Sequence, residues 1–324
     1  MNHSSIAHLS AFPALLLALT LLATDARADR NDPGSLLIFP EYDSRGGSYT
    51  FLTVTNVHSS ESVRVHFNYV DGESCLKTNA IKTLTPKDTV TFYTTTQSPN
   101  PGRGYVFAYA SSVTSGAPID FDFLIGSEIT LDGSTSSEYS MNALVFEGQT
   151  GHGNSTEMSG DGNRDLDGTE YSMTPDKIAI PRFFGQISGP GMPHAELIMI
   201  GLTGTKFSTT VAFQIYNDNE ESFSSEYTFD CWERVPLSSI SGAFDNSFLV
   251  STNHDSGEIA GFPLWESGWF VLNGAIANST TTSVSNPAML AAMVEVSRLS
   301  AADLPFTIGS QSNGSLLPTS LSGN

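Results

Sequence analysis

One series of short alternating strands is written twice in this chain. "LLIFPEYDS" returns as "IAIPRFFGQ", and "FLTVTNVHSSESVRVHFNYVDG" returns as "LIMIGLTGTKFSTTVAFQIYNDN". Further on, "GYVFAYASS" returns as "GWFVLNGAI", and "APIDFDFLIGSEI" as "NPAMLAAMVEVSR". Within each copy the period is that of a half-buried strand: Val63, Val65, Phe67 and Tyr69 alternate with Arg64, His66 and Asn68. Gly, Pro, Asn and Asp clusters separate the runs at the spacing of a β-sandwich. Taken alone, "PAMLAAMVEV" reads as a helix; its alignment with a strand of the first copy makes it a strand.

The chain is therefore expected to be all-β, with two tandem β-sandwich domains related by internal duplication. The first spans residues 29–133 and the second 175–306. A Gly- and Asp-rich insert, 134–174, joins them, and a flexible tail, 307–324, follows. Each sandwich is expected to have its own core. In strand count and spacing each copy resembles an immunoglobulin-like (Ig-like) sandwich, and the whole resembles exported bacterial proteins that carry such domains in tandem. That resemblance implies the broad architecture and no catalytic residues.

The first 28 residues are set apart from the fold. Ala14 to Ala23 form an apolar stretch, and Ala26, Arg27 and Ala28 give an A-x-A cleavage site before Asp29. About ten apolar residues are too few to cross a bilayer, which needs roughly 20, so a cleaved signal peptide and a secreted or periplasmic product are expected, with no membrane insertion. Lys and Arg number 14 against 34 Asp and Glu, a formal charge of −20. Such a chain repels nucleic acid, whose recognition needs basic patches. The expected partner is a protein or a glycan.

"GNRDLDGTEYSM", Gly162 to Met173, sets oxygen-bearing side chains on alternate positions ahead of a glycine. With Asn163 as position 1, Asp165, Asp167 and Thr169 fall at 3, 5 and 7 and Gly168 at the turn, which matches the first half of a Ca²⁺ loop. Thr174 stands where the bidentate Glu belongs, so Asp161, Glu170 or Asp176 has to complete the set. The competing reading is a solvated acidic linker. Cys75 and Cys231 fall after the same strand in each copy, and an oxidising compartment with an even cysteine count favours a bridge between them.

Motifs of catalysis are missing: the sequence has no GxSxG, HExxH, GxxxxGK[ST] or paired CxxC. His58, His66, His152, His194 and His254 are scattered and read as surface groups. Trp265 and Trp269, in "PLWESGWF", are placed to stack on sugar faces, although tryptophans more often fill cores. These features point to a non-enzymatic structural or adhesive protein of the cell surface or extracellular space, stabilised by Ca²⁺. A carbohydrate-binding module using Trp265 and Trp269 is the first alternative, and a hydrolase with an unrecognised carboxylate site the second.

Overall fold

The computed structural model describes residues 32–96, 102–133, 137–187, 194–204, 206–252, 258–259, 262–263, 265–296, 301–303 and 305–316. The expected signal peptide, 1–28, lies outside them. The first half runs through β1 (Leu36–Asp43), β2 (Tyr49–Asn56), β3 (Val63–Asp71), β4 (Lys77–Leu84), β5 (Thr89–Tyr93), β6 (Arg103–Ser111), β7 (Leu124–Asp132), β8 (Ser137–Asn142) and β9 (Leu144–Phe146). After β10 (Arg164–Leu166) come β11 (Lys177–Phe184), β12 (His194–Gly201), β13 (Ser208–Asn217), β14 (Ser222–Phe229) and β15 (Trp232–Pro236). The short helices α1 (Leu237–Ile240) and α2 (Asn246–Thr252) and the strands β16 (Glu258–Ile259) and β17 (Phe262–Pro263) lead into β18 (Ser267–Asn278). The described chain ends with β19 (Ser283–Ser285), β20 (Met289–Val296), β21 (Ala301–Asp303), β22 (Phe306–Ile308) and β23 (Gly314–Leu316).

Among the described residues, four larger antiparallel sheets carry the fold, beside two two-stranded ones, and none closes on itself. Sheet I has the order β5, β2, β7, β8, and sheet II the order β4, β3, β6, β1, β9. Sheet III, β15, β12, β20, β21, repeats sheet I strand for strand. Sheet IV, β14, β13, β18, β11, β22, repeats sheet II. The correspondence reaches single residues. Register shifts between Phe39 and Tyr42 where β1 pairs β6, and between Ile180 and Phe183 where β11 pairs β18, so Pro40 and Pro181 sit in equivalent bulges. Gly104 and Gly268 face these bulges, and a Cβ would come within 1.9 Å of the Val70 carbonyl oxygen in one and 2.2 Å of the Tyr216 oxygen in the other. Only glycine tolerates so close a backbone approach. In the constant-type immunoglobulin arrangement the first and second strands share a sheet; here β1 lies in sheet II and β2 in sheet I, so the strand order differs from that arrangement.

Three apolar layers lie between the four sheets. Leu37, Phe39, Leu52, Val54, Val65 and Phe67 pack sheet I on sheet II. Ile180, Phe213, Phe270, Leu197, Met199 and Met293 pack sheet III on sheet IV. The third layer joins the halves: Leu36, Ile38, Tyr105 and Phe107 of sheet II meet Ile198, Ile200, Leu290 and Val294 of sheet III. Sheets II and III are thus apolar on both faces, and β1 is buried at every residue. The same burial explains "MLAAMVEV": Ala, Leu and Met are strong helix formers, but β20 is enclosed on both sides, where a strand loses its alternation.

The halves therefore share a core instead of having only one each. Their limits also move. β8 and β9, within the expected insert, complete sheets I and II, so the first sandwich runs to Phe146. The expected tail contains Ile308 of β22 and all of β23, which pairs with β10 and buries Leu316 beside Leu166 in the shared layer. Apolar residues at alternate positions of such short segments have no other place to leave water.

Candidate functional site

The densest set of ionisable groups lies at the seam between the halves. The bulge after Pro40 turns Glu41 into the interior, and β15 brings Arg234 to it from the second half. Arg234 Nη1 donates to Glu41 Oε1 and Oε2 at 3.1 and 3.0 Å and to the Tyr139 hydroxyl at 2.7 Å. Its Nε donates to Glu196, and Asp132 lies 3.5 Å from Nη2. Tyr139 in turn donates to Glu41. The Glu41 backbone N–H donates to Glu128 Oε2 at 3.3 Å. Burial, and then the neighbouring Glu41 carboxylate, push the Glu128 carboxyl well above the usual range. Glu41 and Glu128 are both fully buried. Through Glu41 and Arg234 the cluster ties the first half to the second.

Cys75 and Cys231 form a disulfide across the same seam, with Cα atoms 5.9 Å apart. Their positions in the two halves are not equivalent: Cys75 lies between β3 and β4, whereas Cys231 lies between β14 and β15. Bridging works because sheet II faces sheet III, not because two matching edges meet. Trp232 follows directly; its Nε1 donates to the Pro40 carbonyl at 2.8 Å, and the Arg103 guanidinium lies 5.4 Å from its ring centre. Beside them opens a cleft of about 440 Å³ lined in part by Glu73, Asp230 and Glu233.

The Asp-rich turn is held by its own hydrogen bonds. Asp161 Oδ1 accepts from the Asn163 N–H at 2.8 Å, and Asp167 Oδ1 accepts from the N–H groups of Thr169 and Glu170 at 2.7 and 3.0 Å. Asp165 stands on β10, paired with Ser315 of β23; burial, first, raises its pKa. Glu170 is buried and accepts from the backbone N–H groups of Met158, Ser159 and Asp165. Gly168 has φ +84°, as the turn requires. Asp161, Asp165 and Asp167 are not gathered within 4.8 Å of one another. The segment is also no free excursion, because Arg164, Leu166 and Tyr171 are buried.

The two tryptophans part company. Trp265 donates through Nε1 to the Gly185 carbonyl at 2.9 Å and packs near Phe184. Trp269 lies on the outward face of sheet IV, 41% exposed, stacked on Tyr216 with ring centres 4.4 Å apart and planes 12° apart. The two rings lie face to face, and Trp269 is the more exposed of them.

Among the described residues, one group of three potential metal-binding side chains does converge: His58, Glu61 and His152. In the sequence these histidines stand apart, since 91 positions separate Glu61 from His152 and no spacing motif joins them. His152 Nε2 lies 3.1 Å from Glu61 Oε2, and His58 Nε2 lies 3.8 Å from Glu61 Oε1. The Nδ1 atom of His58 accepts from the Glu61 N–H at 2.8 Å. A neutral imidazole that gives Nε2 to a metal carries its proton on Nδ1, where that N–H already points. The trio is therefore a hydrogen-bonded brace against Phe121 and Phe123.

No protein-family model matches the chain, and no curated protein matches it. Among solved structures it is similar to a protein described as "Thermotoga maritima 1070", with 11% identity over 35% of this chain and 95% of that one. The TM-score is 0.28, too small a likeness to relate the two folds.

Proposed function

We propose that this chain is an exported, non-enzymatic structural or adhesive protein of the cell surface or extracellular space, built by duplication of one sandwich. The observation that carries this reading is the double fastening of the seam, by the Cys75–Cys231 disulfide and by Arg234 locked onto Glu41, Glu196 and Tyr139. Structural disulfides persist in oxidising compartments and are rare in the cytosol. The test is fractionation of the source cells followed by mass spectrometry. The expected product starts at Asp29, is found outside the cytoplasm and does not react with thiol reagents until reduced. A cytosolic protein with two free thiols overturns the reading. Calcium binding at Asn163, Asp165, Asp167, Thr169 and Asp161 belongs to the same proposal. Asp167 accepts the Thr169 and Glu170 amides through Oδ1 alone, which leaves its second oxygen for an ion, and a rise in Tm with added Ca²⁺, lost in Asp165→Ala with Asp167→Ala, is the result that supports the site.

Carbohydrate binding is the second reading, favoured by the exposed Tyr216–Trp269 stack. Apolar sugar faces stack on such rings. Binding on a glycan array that disappears in Trp269→Ala places function there, whereas an array without signal leaves the structural reading.

A further inference from the structure

The way the halves pack has a direction. Sheet II of the first half lies on sheet III of the second, and sheet III is the counterpart of sheet I, not of sheet II. The stack is therefore head to tail: the outward face of one sandwich meets the opposite outward face of the next. A contact of this kind does not close on itself, and repetition of it generates an open series. The two faces that would continue the series are present in the same molecule, the outer face of sheet I at one end and that of sheet IV at the other.

Position by position, the outer face of sheet IV matches the buried face of sheet II. The shared bulge and pairing align Tyr105 with Trp269, Phe107 with Val271, and Val70 with Tyr216. Leu144 and Phe146, buried in the shared layer, align with Phe306 and Ile308, which are 66% and 46% exposed. At the other end, Leu290 and Val294, also in the shared layer, align with Ile125 and Ile129, both 41% exposed. Tyr49 and Phe51 add aromatic surface there, 43% and 38% exposed.

Charge supports the same pairing. In a chain of formal charge −20, the described outward strand positions of sheet I carry Glu138 alone, and those of sheet IV carry Lys177, Glu226 and, in the bulge, Arg182, which pairs with Glu295. Like-charge repulsion, which opposes self-association elsewhere on the surface, is small where the two ends meet. Shape agrees too. Sheet I has a hollow of about 280 Å³ bordered by Thr53, Thr55, Ile125 and Ser127, with Asp32 also on its lining, while Phe306 projects from sheet IV.

We infer that the partner of these faces is a second copy of this chain, with sheet IV of one copy docked on sheet I of the next in a head-to-tail series. The inference rests on the structural reading and names the partner for it. Thr53, Thr55, Ser127 and Asn273 stand where the internal seam has Ile198, Ile200, Ala292 and Tyr109, so the contact between copies is weaker than the seam and reversible.

Sedimentation velocity on the oxidised mature protein, from about 1 µM to about 1 mM, covers the dissociation constants of weak specific interfaces. The expected result is a mass that keeps rising beyond a dimer and rises further with added salt, which screens the net charge. Ile129→Lys on sheet I and Trp269→Lys on sheet IV each leave one end intact. Alone, each variant is expected to stay monomeric; mixed, they form a dimer and stop, because only one complementary pair of faces remains. Unchanged circular dichroism and Tm show that the variants are folded. A wild type that remains monomeric throughout overturns the inference, and so does association that survives in either variant alone, since that means like faces pair. Either failure leaves export and the oxidised cysteines, the test of the structural reading, untouched.

Discussion

Glu128 sits fully buried with one oxygen accepting from the Glu41 amide, while its Oε1 has no protein partner. A charged carboxylate there is disfavoured by lost hydration, which is why its pKa is pushed up. The folded state thus holds this proton more tightly than the unfolded chain, whose glutamate titrates near about 4.3. Its contribution to stability is complete below that value and is lost as pH rises toward the folded pKa. Glu128→Gln keeps the neutral shape at every pH. The variant is expected to match wild type near pH 4 and to gain on it steadily as pH rises, with a difference at about pH 9 of a few degrees in Tm, corresponding to about 1–2 kcal/mol. Thermal unfolding of both proteins across pH checks this. Parallel curves mean that Glu128 is already ionised in the native state.

At the scale of elements, period-2 strands such as β2 and β13 were legible because one face is wetter than the other, and β3 because Arg64 and His66 interrupt its apolar run before both faces become buried. β20 was ambiguous because burial on both faces removes the pattern that distinguishes strand from helix. The proline bulges made the repeat readable, yet the repeat does not say which sheet of one half faces which sheet of the other. For that reason the sequence supplied the two cysteines but misjudged their positions, and it contained no sign of the Arg234 cluster, whose members come from five separate strands. The disulfide tests how far the seam depends on covalent help. It closes a loop of 156 residues, and removing such a native bridge costs about 2–5 kcal/mol. Cys75→Ala with Cys231→Ala is expected to lower the urea midpoint without changing the folded circular dichroism, because the apolar layer at the seam remains. Loss of folded structure in the variant without denaturant means that the layer alone is insufficient.

For the whole molecule, the shared layer decides whether there are one or two folding units. Two sandwiches with separate cores can unfold in two steps and survive cutting of the link between them. Here Leu36, Ile38, Tyr105, Phe107, Leu144 and Phe146 of the first half are all buried in the layer that also holds Ile198, Ile200, Leu290 and Val294. Separating the halves exposes both faces of that layer, and a fully buried side chain of this size loses about 1.5–3 kcal/mol when returned to water. The loss over these residues exceeds the net stability of an ordinary domain, about 5–15 kcal/mol. A single cooperative transition is therefore expected in calorimetry, with the van't Hoff and calorimetric enthalpies equal for the full chain. A fragment ending after Phe146 should be insoluble or should associate through the uncovered face of sheet II. Two resolved transitions, or a soluble monomeric first half with native-like Tm, would show that the sandwiches fold independently and that the central layer is only a contact between finished domains.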